Sequence, residues 1–82
     1  MKYCICKLSE LGKGDFANVF SVKGSRNFNN LMFSKGFLPG AKIFVAEKSE
    51  TGELLLKSTI SKLSVIKEDA ENIMIIKKSR TD

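Results

Sequence analysis

Leu31-Met32-Phe33-Ser34-Lys35-Gly36-Phe37-Leu38-Pro39-Gly40-Ala41-Lys42-Ile43-Phe44-Val45, residues 31–45, decides the fold. It reads as the last turns of a helix, a glycine stop, a Pro-Gly turn and the start of a buried strand. The helix begins after Asn27, an N-cap whose side-chain oxygen accepts a bond from an unpaired amide one turn on. Asn29 and Asn30 are weak interior helix formers and suit its first turn. Phe28, Leu31, Met32 and Lys35 fall at i, i+3, i+4 and i+7, a single stripe able to face a core. Gly36 supplies a left-handed stop, with Phe37 at C″ packing back on Met32 at C3. Leu38-Pro39-Gly40-Ala41 fits a type II turn, proline setting φ at the second position and glycine accepting positive φ at the third. Two reversals in residues 36–40 make a hard corner.

Outward from the corner the chain reads as β structure. Ile43 and Val45 alternate with Phe44 and Ala46, the period of a strand. Ser49-Glu50-Thr51-Gly52 is a hairpin loop. Leu54, Leu56 and Ile60 share a face of the next strand, Ser61-Lys62 turns, and Leu63 and Val65 follow, with Ile66 on the second face. Lys67-Glu68-Asp69-Ala70-Glu71 holds one helical turn, and Ile73–Ile76 forms a last, fully buried strand. Before the helix, Ala17 and Val19 alternate but Val22 comes three residues later, which predicts a bulge near Phe20-Ser21. Five short strands, one helix and a bend favour a small closed barrel over an open sheet, because closure removes exposed edges.

Composition limits the chemistry. Eighty-two residues with 43% hydrophobic content make one globular domain spanning residues 1–82. No stretch approaches the roughly 18 apolar residues of a membrane span. The apolar opening Met1–Cys6 is broken by Lys7, Ser9 and Glu10 too soon for a signal peptide, so a cytosolic location is expected. The net charge of +5 divides unevenly: residues 1–40 carry six Lys/Arg against two acids, residues 41–82 eight against seven. Contact with nucleic acid or an anionic membrane would use such charge. Without an arginine cluster or a basic run interleaved with aromatics, a lysine-rich solvated surface is the preferred reading.

No catalytic set is visible. The chain has no histidine, which removes the commonest general base and neutral metal ligand. Glu10, Asp15, Glu50, Glu53, Glu68 and Asp69 fall at loops or strand ends, where carboxylates are usually solvated. Gly12-Lys13-Gly14 is too short for a phosphate loop. Cys4 and Cys6 would point to one side of a strand, yet two ligands do not complete a tetrahedral site. They read as half-buried small residues near the start of a strand. No catalytic residue, cofactor site or metal site is assigned.

Leu8-Ser9-Glu10-Leu11, Gly14 and Val19 resemble the opening of the ferrous iron transport protein A (FeoA) family. Leu31-Met32, Gly36-Phe37, Pro39-Gly40 and Ile43-Phe44-Val45 are similar to its central motif, leucines followed by Leu-Gly-x-x-Pro-Gly and a strand. Leu63–Ala70 resembles its closing strand and acidic turn, so the likeness covers about residues 8–76. Lys35 stands where the family has leucine or methionine, Gly52-Glu53-Leu54 replaces Gly-Asp-Pro, and the stretch from Gly52 to Leu63 is one residue short. The resemblance implies a mainly β fold, an SH3-like β-barrel of about five strands with one short α-helix. It also implies a cytosolic accessory or regulatory role, binding the cytosolic part of FeoB, the GTP-binding membrane transporter for ferrous iron. Iron would then be cargo, and the membrane would be met only through the partner.

The helix and corner form the expected contact surface: Leu31, Phe33, Lys35, Phe37 and Leu38. All the apolar groups do not fit under one helical stripe. Either Phe33 or Leu38 stays exposed as a binding anchor, or every one of them is core. The rival readings are a nucleic-acid-binding barrel, motivated by the charge, and a peptide-binding adaptor; neither explains the corner, and no nucleic acid partner is expected. Short hairpin barrels with a stray edge pair or swap strands, so a homo-oligomer is also open.

Overall fold

The computed structural model describes residues 3–78. Six strands, β1 (Tyr3–Lys7), β2 (Phe16–Val22), β3 (Lys42–Lys48), β4 (Leu54–Lys57), β5 (Lys62–Val65) and β6 (Ile73–Lys78), form one sheet in the order β1-β6-β2-β3-β4-β5. Every pairing is antiparallel. Among the described residues a 3-10 turn at Leu8–Glu10 follows β1, and two α-helices complete the order, α1 (Arg26–Ser34) between β2 and β3 and the single turn α2 (Lys67–Ala70) before β6. The fold is mainly β, as expected, with β1 as a strand beyond the expected five. The sheet curls around its core without closing: among the described residues β1 and β5 pair with one neighbour each and not with one another.

Alternation places the core. Ala17 and Val19 of β2, Ile43 and Val45 of β3, Leu54 and Leu56 of β4, and Ile73 and Ile75 of β6 are all buried. Each large side chain of this kind gives about 1.5–3 kcal/mol on burial. The expected bulge lies where the phase slips, the β2–β6 register shifting between Val19 and Ser21. A second shift lies in β3 between Val45 and Glu47. These bulges add twist, which lets one sheet wrap a core. Lys48 ties the N-terminal loop to β3, its Nζ donating to the carbonyls of Ser9 (3.1 Å) and Leu11 (2.8 Å).

Four expectations change. The N-cap of α1 is Ser25, whose hydroxyl accepts from the Phe28 amide at 3.2 Å, and Asn27 lies inside the first turn. Gly24 permits this earlier start, because a Cβ there would come within 2.6 Å of the Phe28 ring. Ile60 is not on the strand face with Leu54 and Leu56. It sits 70% exposed at a turn closed by the Ser58 amide donating to the Ser61 carbonyl at 2.8 Å, so the reversal falls at Thr59-Ile60 and Lys62 already belongs to β5. Finally, β6 is not buried throughout: Ile73 and Ile75 are, while Met74 and Ile76 are half-exposed on the opposite face.

Candidate functional site

The corner is built as the residues dictate. Gly36 takes φ +89°, and its amide donates to the Phe33 carbonyl at 3.1 Å while the Phe37 amide donates to Met32 at 2.8 Å. This is the Schellman pair of bonds, which satisfies carbonyls otherwise orphaned at the helix end. Gly40 takes φ +91°, and the Ala41 amide returns to the Leu38 carbonyl at 2.9 Å, closing the type II turn. The chain then docks on β2 beside its bulge: the Gly40 amide donates to Val19, and Val19 donates to Ala41.

The β4–β5 hairpin reaches over to lock this corner. Ser58 Oγ and Ser61 Oγ both donate to the Lys35 carbonyl at 2.8 Å. Ser58 Oγ also accepts from the amides of Ile60 and Ser61, so one hydroxyl joins the turn to the helix end. A Cβ at Gly36 would stand 2.9 Å from Ile60 and 3.1 Å from Ser58 Oγ. Glycine is needed here both for its backbone angle and for the close approach of the hairpin.

The proposed contact residues separate. Phe37 is wholly buried with Met32 in the core, so it positions the surface and does not form it. This corrects its place among the contacts: at C″ its ring must turn back over the helix end, onto the apolar side. Leu31, Phe33 and Leu38 are 42%, 42% and 47% exposed. At 100° per residue, Leu31 and Phe33 lie on opposite flanks of the buried Met32, so they edge the helix and do not form one patch. Lys35 is half-buried and holds the clamp through its backbone carbonyl.

Sequence reasoning missed a second apolar region. Phe16 and Phe20 on β2 are 57% and 48% exposed, and Tyr3 and Ile5 on β1 are exposed too. The signal was present: β2, β3 and β6 carry apolar side chains on both parities, a pattern of strands covered on both faces. Cys4 is exposed and Cys6 half-buried. Burial first, then the nearby Glu10 carboxylate, pushes the Cys6 thiol up, so it holds its proton more firmly than a free thiol. Among the described residues no group of three or more His, Cys, Asp or Glu side chains is placed to hold a metal ion, and no helix is long and apolar enough to cross a membrane. Lys77 Nζ, near the end of β6, is 3.9 Å from Asp15 Oδ2.

The FeoA domain family matches residues 6–77. The chain belongs to the FeoA family. Among solved structures, a crystal structure of the iron uptake regulatory protein FeoA has a TM-score of 0.78 at 28% identity, with 92% of this chain and 99% of that one covered. The solution structure of FeoA from Chlorobium tepidum reaches 0.84 at 27% identity, over 94% of this chain and 74% of that one. FeoA from Stenotrophomonas maltophilia, crystallised with zinc and described as an SH3 domain protein, gives 0.71 at 23% identity over 85% and 88%. That likeness gives the fold, and the sheet of this FeoA-family chain is SH3-like. No curated protein sequence matched.

Proposed function

We propose that this protein is a cytosolic accessory and regulatory factor of ferrous iron uptake that binds the cytosolic part of a FeoB-type GTP-binding iron transporter. The family match over residues 6–77 carries the reading, and the similar structure named as an iron uptake regulatory protein supports it. Iron is the cargo of the partner, and this chain acts by contact, as an interaction protein and not an enzyme. Leu31, Phe33 and Leu38 are the anchors, held by a corner that the Ser58–Ser61 clamp makes stiff. Stiffness matters because an ordered anchor loses little freedom on docking.

The test is capture of the transporter from solubilised membranes by the purified chain and by Phe33→Ala. The expected result is capture by the parent and about a tenfold loss in the variant, with melting temperature unchanged. Failure of the parent chain to capture the transporter overturns the reading. A large melting loss in Phe33→Ala makes Phe33 a core residue and removes it as an anchor.

A further inference from the structure

The outward face of the sheet, opposite the core, carries a second surface. Phe16, Phe44, Lys57 and Lys62 stand in one register row across β2, β3, β4 and β5. The two rings pack with centroids 4.7 Å apart, tilted by 43°, and Lys42 Nζ lies 5.4 Å from the centre of Phe16. Beside them runs a groove of about 370 Å³, lined by Phe16, Phe44, Lys42 and Lys57, with Ser58 and Thr59 at one end. A second hollow of about 200 Å³ continues it past Asn18 to Tyr3 and Ile76, sharing Phe16 and Lys42.

Charge here is one-sided. Lys57 stands directly opposite Lys62, and like charges so placed cost stability. Lys42, Lys57 and Lys62 take no part in the ion pairs among the described residues, which are Lys13–Glu47 and Lys77–Asp15. A lysine on edge strand β5 also guards against edge pairing, but β3 and β4 are inner strands where Lys42 and Lys57 have no such duty. Large apolar groups rimmed by unpaired cations match a ligand with an apolar centre and an anionic rim.

We propose that this face docks a short acidic segment of a partner protein, seating one large apolar side chain against Phe16 and Phe44 and its carboxylates against Lys42, Lys57 and Lys62. A protein segment fits better than single-stranded nucleic acid, because successive bases stack on separate aromatic platforms along a groove, whereas here the two rings pack on one another. A second copy fits poorly, since a two-fold contact would set the three lysines against themselves. The inference does not depend on the transporter reading: it asks only for an acidic, apolar-centred segment, and its groove meets the corner only at Ser58.

The test titrates isotope-labelled protein with an acetylated, amidated decapeptide holding a central phenylalanine among four glutamates. Amide shifts should concentrate at Phe16, Lys42, Phe44 and Lys57. Affinity should fall about tenfold between roughly 0.05 and 0.5 M salt, as screening of exposed charge requires. Phe16→Ser should weaken binding about tenfold. Lys42→Gln/Lys57→Gln should weaken it by about the same factor, and it keeps both rings should the first variant fail to fold. Shifts elsewhere, no binding, or binding indifferent to both variants would overturn the proposal. So would stronger use of the same residues by oligo(dT), by vesicles of phosphatidylcholine with phosphatidylglycerol, or by concentration-dependent self-association without peptide.

Discussion

Gly36 and Gly40 have nearly the same backbone angle, φ +89° and +91°, but different surroundings. A Cβ at Gly40 meets nothing within 4 Å, whereas one at Gly36 meets Ile60 and Ser58. Alanine at either site carries the left-handed penalty of about 1–2 kcal/mol. Gly36→Ala should cost more than Gly40→Ala in urea unfolding, because Ser58 Oγ is fixed by its bonds to the corner. Equal losses would mean that the hairpin yields freely. Cys6 gives a second residue-scale test. Its thiol holds the proton more firmly when folded, so its contribution is complete below the unfolded thiol pKa of about 8.5 and is lost as pH rises through the raised folded value. Melting of the parent should therefore fall relative to Cys6→Ser above about pH 8.5. Parallel curves would show that Cys6 adds no pH dependence.

At the scale of elements, the clamp between the β4–β5 hairpin and α1 decides how rigid the corner is. Ser58 and Ser61 donate to the same carbonyl, so removing one leaves the acceptor served. Ser61→Ala should cost little, and Ser58→Ala more because its Oγ also accepts two turn amides. The double variant should lose about 1 kcal/mol beyond the sum of the singles, the cost of orphaning a part-buried acceptor; simple additivity in a double-mutant cycle would refute the shared clamp. This contact was invisible in the sequence, since Ser58 and Ser61 are bonded to a residue more than twenty positions away. What was legible was local. Gly36, Pro39 and Gly40 each carry a backbone constraint, and the phase slip from Val19 to Val22 announced its bulge. The N-cap was misplaced because Ser25 and Asn27 are both good caps, and only the packing of Phe28 against Gly24 separates them. The excess of apolar groups at the corner over what one stripe can bury was legible too. Which of them turned inward was settled by the sheet, and it chose Phe37.

For the whole molecule, Phe37 and Phe33 are near neighbours in sequence with opposite placements, one buried and one exposed. Phe37 joins the helix to a core that also holds Leu8, Val45 and Ile75. Phe37→Ala should cost about 3–5 kcal/mol, a large part of the roughly 5–15 kcal/mol of a typical domain. In thermal unfolding the cooperative transition should fall steeply or vanish. Phe33→Ala should stay within about 0.5 kcal/mol of the parent, as exposed positions usually do. A mild Phe37 variant would mean that the helix packs loosely and that the corner does not organise the fold.

The pairing of the first strand with the last places Tyr3 beside Lys78 in the register. Backbone leaving at either end therefore departs from almost the same point. Joining those ends through a short tether and reopening the chain between Ser49 and Gly52 should yield a circular permutant with the same sheet. By the same token, the unit could be spliced into a surface loop of another protein like a bead held on a closed ring, without pulling its host apart.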